Sequence, residues 1–252
     1  MTTHTASDVP PGILYGLGVG PGDPELITLK AARVLNSVDA VYAAASSKNS
    51  YSLAVSIARP HIPDRTPIHM LKFPMISDGG ERQDAWTANA RVLIDAVEAG
   101  RRVAFITLGD SMTYSTYGYV LREIKRQAPH LPVISVPGVT SYQAAAASLN
   151  TPLVEAEESL LVVSGACGGD HLRHCQALPD TVVFLKAYRN VDDIVTALTE
   201  AGRLETSVGV TRCSQPDERI TRDVRTFRGR QASYWTLILS KKRRDDEPPV
   251  AD

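Results

Sequence analysis

Cysteine is scarce in this chain, with Cys167, Cys175 and Cys213 the only three among 252 residues. An odd, sparse set at this length excludes a disulfide scaffold and suits a reducing compartment. An excess of one charge sign is missing too. Lys and Arg number 27 against 28 Asp and Glu, a formal net charge of −1. No global basic field therefore recruits nucleic acid, and an anionic ligand must be met by a local basic cluster. No apolar run reaches membrane-spanning length, and the opening MTTHTASDVPPG lacks a basic segment followed by an apolar one. The expected address is the cytoplasm, with no membrane partner.

What is present is an ordinary globular composition, 43% hydrophobic and 22% charged. The length suits one large α/β domain or two small ones. Both ends read as solvated tails: residues 1–11 are polar with paired prolines, and 243–252 carry the end of a basic block, then acids and prolines. Between them, short apolar runs alternate with segments of helical spacing. Ile13 to Leu17 reads as a strand. The next segment carries Ile27, Ala31, Val34, Leu35 and Val38 on one helical face, with Asp23 as cap and Pro24 in the first turn. Ala40 to Ala45 is a second strand and Leu53 to Ala58 a short helix. A long amphipathic helix from Asp78 stops at Gly100, and Val103 to Leu108 is a continuous apolar strand of the kind buried on both faces. Helix 117–128, strand 133–136 and helix 140–149 complete an alternation that implies a largely parallel sheet. After Pro152 the strands become denser and less regular. The pattern predicts two α/β domains, 12–150 with a mainly parallel sheet and 157–242 with a mixed one.

Glycine-bearing turns follow three of these strands. Y-G-L-G-V-G-P-G-D-P at Tyr15 to Pro24 comes close to the dinucleotide fingerprint G-x-G-x-x-G, and Asp39 lies at a tempting distance for a ribose carboxylate. The third glycine position is Pro21, however. Proline donates no backbone hydrogen bond to pyrophosphate and obstructs the close helix–strand packing that glycine permits. The second turn, Leu108-Gly109-Asp110-Ser111, leads into the hydroxyl-rich run from Thr113 to Tyr117. The third is Val136-Pro137-Gly138-Val139-Thr140-Ser141. Loops at the carboxyl ends of parallel strands are where open α/β sheets place ligands. Asp110 is suited to accept from a ribose hydroxyl or an amino group. Ser115, Thr116, Thr140 and Ser141 read equally well as helix caps. Cys167, His171, His174 and Cys175 match no common zinc spacing, so the metal-ligand expectation is none.

G-x-G-P-G-D-P near the start, G-D-x-x-x-Y-S-T after a central strand and P-G-V-T-S about thirty residues later resemble, in order and spacing, the tetrapyrrole methylases. These are the class III S-adenosylmethionine enzymes of cobalamin and sirohaem synthesis. The resemblance runs from about Gly12 to Lys242. F-P-M at Phe73 to Met75 with Trp86 downstream, F-I-T-L-G-D at Phe105 to Asp110, L-K-A-Y at Leu185 to Tyr188 and the late Y-W-T-L-I-L-S-K resemble the family's C-20 methyltransferases, which act on precorrin-2 or on cobalt-factor II. The wording is closer to the anaerobic, cobalt-containing branch. One departure is Ser111, where the family often has proline, and a looser turn is expected there.

The resemblance implies two αβα domains with S-adenosyl-L-methionine in the trough between them, in a homodimer. By position it implies cofactor contacts at Pro21, Leu108, Gly109, Asp110, Thr113, Ser115, Thr116, Thr140, Ser141, Leu185, Tyr188, Thr211, Thr236 and Leu237. The first glycine loop, with Gly18, Gly20, Gly22 and Asp23, then faces the macrocycle. Its eight carboxylates call for local cations, for which Lys48, His69, Lys72, Arg82, Arg189 and Arg212 lie in or beside suitable loops, arginine being the better geometric match. Methyl transfer from a sulfonium to an electron-rich meso carbon is an in-line displacement whose rate comes mostly from alignment in a water-poor pocket. A proton must leave the methylated carbon. Asp110, Tyr114 and Tyr117 are the candidates to assist, although no dedicated base is demanded. Cobalt, where present, is expected to arrive inside the substrate.

Overall fold

The computed structural model describes residues 12–45, 52–73 and 79–243. Residues 1–11, nearly all of the expected carboxyl tail, and Lys48 lie outside the described residues. The chain divides into two compact units, one ending at Thr140 and one beginning at Ser141.

In the first unit, strands β1 (Ile13–Gly18), β2 (Ala40–Ala45), β3 (Ile68–Lys72), β4 (Arg102–Thr107) and β5 (Val133–Val136) form one sheet in the order β3-β2-β4-β1-β5. Every pairing is parallel. Helices α1 (Leu29–Leu35) and α2 (Leu53–Ala58) accompany a core of Leu17, Leu35, Val41, Ile57 and Ile106. Helices α3 (Gly79–Glu98) and α4 (Thr116–Gln127) supply the other core, with Leu14, Tyr42, Leu93, Phe105, Tyr117 and Ile124. Phe105 and Ile106 are neighbours in β4 yet belong to different cores. That is the period-two alternation of a strand covered on both faces, and it explains why β4 has no polar side.

The start of the first helix differs from the expectation. Asp23 caps a short 3-10 turn at Pro24–Leu26, accepting from the Glu25 amide at 2.8 Å. The α-helix begins only at Leu29, capped by Thr28, whose hydroxyl accepts from the Ala31 amide. Both residues are good caps, and the chain uses them in succession. Across the sheet's other face, α3 and α4 are joined by the buried Glu123. Its carboxylate accepts from Gln83 at 2.6 Å and from Arg126 at 2.8 Å, with Thr87 at 3.4 Å. The Arg126 hydrogen bond leads in holding this carboxyl below its usual range, against the opposing effect of burial.

The second unit contains α5 (Ser141–Ser148), β6 (Leu160–Ser164), α6 (Asp170–Arg173), β7 (Thr181–Leu185), α7 (Val191–Glu200), β8 (Ser207–Thr211), β9 (Arg219–Thr221) and β10 (Thr236–Lys241). The sheet order is β6-β7-β10-β8-β9. Strands β6 and β7 are parallel, whereas β10 runs antiparallel to both its neighbours. Two features differ from the sequence pattern. Helix α5 belongs to this unit, where Ser148 donates to Glu218 and the Cys213 thiol reaches the Ser141 carbonyl at 3.4 Å. Strand β9 lies inside the polar stretch 212–229, too short to show a period. The buried Lys241 ammonium donates to the Pro152 carbonyl at 2.9 Å and pairs with Glu155 and Glu158, fastening the segment before β6. Burial pushes the Cys213 thiol up to about 12, so it stays neutral and unreactive.

Candidate active site

In the first unit the three glycine-bearing turns meet at the carboxyl edge of the parallel sheet. The contact is made through backbone. Gly20 and Gly109 form an antiparallel bridge, with Gly109 donating to the Gly20 carbonyl at 2.7 Å and Gly20 to the Gly109 carbonyl at 3.2 Å. Gly18 and Gly138 pack against each other and against Gly109. A Cβ on Gly138 would stand 2.3 Å from the Gly109 oxygen, and one on Gly18 would stand 2.6 Å from the same atom. Glycine is demanded here because three turns occupy a space with no room for side chains.

Asp110 braces the assembly. One carboxylate oxygen accepts from the Met112 amide at 2.9 Å and the Thr113 hydroxyl at 3.0 Å, and the other accepts from the Gly138 amide at 3.0 Å. Ser111 is fully buried and donates to the Val136 carbonyl at 3.0 Å. The turn is therefore tied to β5 and is not loosened by the absence of proline. Gly109 has φ +68°, and the nearest atom to its missing Cβ is the Val139 oxygen at 3.9 Å, so the turn stays open on that side.

Several expected site residues take other roles. Tyr117 is completely buried, its ring against Phe105 and its hydroxyl bonded to Ser135 at 2.9 Å. Burial raises its pKa, so it is a core residue closed to substrate rather than a proton-transfer group. Gly16 lies within β1, and a Cβ there would fall 2.0 Å from the Tyr117 ring, so this glycine makes room for the tyrosine. Gly18 packs against Gly109 and Gly138, and the amide and carbonyl of Gly20 are both bonded to Gly109. Asp110 holds the turns together through three accepted hydrogen bonds. Asp39 accepts from the Arg102 amide before β2 begins, at the sheet edge opposite the turns, which ends its resemblance to a ribose carboxylate.

Other expected residues stand on or beside the same turns. Ser115 caps α4 by accepting from the Tyr117 amide at 3.0 Å, and Thr116 opens the helix beside it. Leu108, Asp110 and Thr113 belong to the same turn, with Tyr114 at its exposed tip in a left-handed conformation, φ 49°. Pro21 and Gly22 are buried in the first loop. Thr140 is buried and closes the third turn, while Ser141 opens α5. His69 stacks on Tyr42, and Lys72 is exposed at the end of β3. Nothing is described for the Arg82 side chain.

In the second unit the ends of β7, β8 and β10 converge. The Ala187 amide donates to the Thr236 carbonyl at 2.9 Å, the Thr211 and Thr236 hydroxyls share a hydrogen bond at 2.9 Å, and the Arg212 amide donates to the Trp235 carbonyl at 3.1 Å. Leu185, Tyr188, Thr211, Thr236 and Leu237 are thus brought together, with Thr236 and Leu237 buried. Tyr188 meets Tyr234 edge to face, and Tyr234 meets Trp235 in the same way. This aromatic group was legible only in part: the sequence pattern places Tyr234 and Trp235 in the last strand, whereas they lie in the turn before β10. Arg189 is exposed with its guanidinium 5.4 Å from the Tyr188 ring centre, and Arg212 is paired with Asp217 at 2.6 Å. Among the described residues, no group of three or more His, Cys, Asp and Glu side chains is placed to hold a metal ion. No described helix is long and apolar enough to cross a membrane.

One unit with three glycine turns packed at the carboxyl edge of a parallel sheet, followed in the chain by a unit with a mixed sheet, places the chain in a known class. The sequence profile of the Tetrapyrrole (Corrin/Porphyrin) Methylases matches residues 13–226, and the chain belongs to that family of methyltransferases. Its similarity to the cobalt-precorrin-2 C(20)-methyltransferase of Salmonella typhimurium is 39% identity over 234 residues, 92% of this chain and 97% of that one. The precorrin-2 C(20)-methyltransferase of a Sinorhizobium species is 30% identical over 92% of this chain and 96% of its own. Among solved structures, uroporphyrin-III C-methyl transferase from Thermus thermophilus, complexed with S-adenosyl homocysteine, superposes with a TM-score of 0.67. It is 26% identical, over 91% of this chain and 92% of that one.

Proposed function

We propose that this chain transfers the methyl group of S-adenosyl-L-methionine to the C-20 meso carbon of cobalt-factor II (cobalt-sirohydrochlorin) in the anaerobic route of cobalamin biosynthesis. The observation that carries the reading is the 39% identity to the Salmonella cobalt-precorrin-2 enzyme over nearly the full length of both chains. The 30% match to the Sinorhizobium enzyme favours metal-free precorrin-2 as the second reading. Cobalt enters as part of the substrate. The active form is a homodimer in the cytoplasm, with no nucleic acid or membrane partner.

S-Adenosylmethionine supplies an electrophilic methyl group on sulfur, and the protein's task is to align it with the nucleophilic carbon in a place poor in water. The open side of Gly109, the hydroxyls of Thr113, Ser115 and Thr116, and Thr140 and Ser141 fit such a ligand. Pro21, Leu108, Leu185, Tyr188, Thr211, Thr236 and Leu237 complete the proposed contacts. Gly22 and Asp23 in the first loop, with Lys48, Lys72 and Arg189, are assigned to the macrocycle and its carboxylates. With Tyr117 closed off and Asp110 engaged by three donors, release of the proton from the methylated carbon falls to Tyr114, to solvent or to the substrate itself.

The test offers the protein methyl-labelled S-adenosylmethionine with cobalt-factor II or with precorrin-2, and locates the label by NMR. Label on C-20 of the cobalt compound is the expected result. Preference for precorrin-2 would install the second reading, and methylation elsewhere on the ring would defeat both.

A further inference from the structure

Thr107 ends β4 and stands immediately before the Leu108-Gly109-Asp110 turn. It is 7% exposed, and its side-chain oxygen has no hydrogen-bond partner. Its backbone is satisfied, since the carbonyl accepts from the Val19 amide at 3.0 Å. Only the hydroxyl is orphaned. The residues beside it explain why nothing on the sheet reaches it. Gly18 pairs with Thr107 directly, and continuing the Ala43–Ile106 register puts Ala44 on the other side. Neither neighbour carries a polar side-chain atom.

Valine has the same shape and would fit this strand without burying a polar atom, so the threonine carries a desolvation cost for no return within the protein. Buried hydroxyls elsewhere in the chain do find partners: Ser111 donates to Val136, Thr181 to Leu153 and Ser207 to Arg203. The Ser240 hydroxyl is orphaned as well, but it lies within β10 between Val182 and Ser207, enclosed by its own sheet. Among the described residues, Thr107 alone combines an orphaned hydroxyl, small flanking residues and a place at the rim where the three turns meet.

We infer that the Thr107 hydroxyl binds the cofactor, forming a hydrogen bond to a polar atom of the adenosylated amino acid when it occupies the turn after β4. The inference rests on the methyltransferase reading and adds to it a residue that helps position the cofactor. A hydroxyl both donates and accepts, so it suits a carboxylate, an amine or a ribose hydroxyl.

The experiment titrates S-adenosylhomocysteine calorimetrically into the wild type, T107V and T107S, and records unfolding of each without ligand. T107V is expected to keep or raise the ligand-free melting temperature while binding about tenfold more weakly. T107S keeps the hydroxyl and is expected to bind within about twofold of the wild type. Unchanged affinity in T107V overturns the inference. So does a T107V protein that fails to fold, or a T107S protein as weak as T107V, because each assigns the residue to packing. A wild type that does not bind S-adenosylhomocysteine at all strikes the methyltransferase reading itself, and the inference falls with it.

Discussion

The turns after β1, β4 and β5 in the first unit and those after β7 and β8 in the second are held by different means. In the first, loop meets loop through glycine: Gly18, Gly109 and Gly138 bring three backbones into contact, and Gly109 reaches φ +68° without side-chain cost. In the second, Lys186, Arg212 and Ser214 take left-handed conformations at φ 57°, 56° and 59° despite their side chains. Hydrogen bonds hold the backbone there, such as the Ser214 amide donating to Glu218 at 2.6 Å and the Arg212 amide to the Trp235 carbonyl. Close approach excludes side chains altogether, whereas a strained backbone angle only taxes them by about 1 kcal/mol or somewhat more. Substitutions at Gly18 and Gly138 should therefore be harsh, and replacing the left-handed Ser214 by glycine mild.

The strongest way to break this contrast is G138A. Its new Cβ has only backbone to push against, and a stability loss of about 3 kcal/mol is expected in denaturant unfolding, with cofactor binding abolished. A mild effect would mean that the turns are not packed as described. D110A comes next. It strands the Met112 and Gly138 amides, and a loss of about 2 kcal/mol is expected with a clear rise in the cofactor dissociation constant. If Asp110 were instead an acid or base of the reaction, D110A would depress turnover at saturating substrates while leaving stability and affinity alone.

E123Q tests the polar joint between α3 and α4. Because the folded carboxyl lies below its unfolded value of about 4.3, its stabilisation is complete above that pH and is lost as pH falls through the lower folded value. E123Q should cost about 1–2 kcal/mol at pH 7, and the gap to the wild type should close on acidification. A gap that widens in acid would contradict the sign. Y117F removes one hydrogen bond and is expected to cost about 1 kcal/mol or less with turnover unchanged. A turnover collapse would return the tyrosine to the chemistry. The smallest effect belongs to the second unit, where S214G relieves a left-handed serine and should shift stability by about 0.5 kcal/mol in either direction.

Much of the fold was legible because its signals are local. The apolar run of β4, the helical spacing of α3 and α4, and the stop at Gly100 are each written within a few residues of one another. Asp23 and Thr28 show where locality fails, since either can cap and only the path of the chain selects the helix start. The short β9 and the transfer of α5 to the second unit were hidden for a related reason: contacts such as Ser148 with Glu218 join residues 70 positions apart.

The site divides along the same line. Motif order and spacing identified the three turns, the family and the residues that surround them, because glycine, proline and hydroxyl residues act on the backbone next to them. Only the tertiary structure showed that the glycines serve one another, that Tyr117 fills the gap left by Gly16, that Asp110 is a brace and that Thr107 keeps an unused hydroxyl. Each of these depends on what lies across a strand or across a turn. Chain composition sets which residues are available to make contact, and packing decides which of those contacts are already taken.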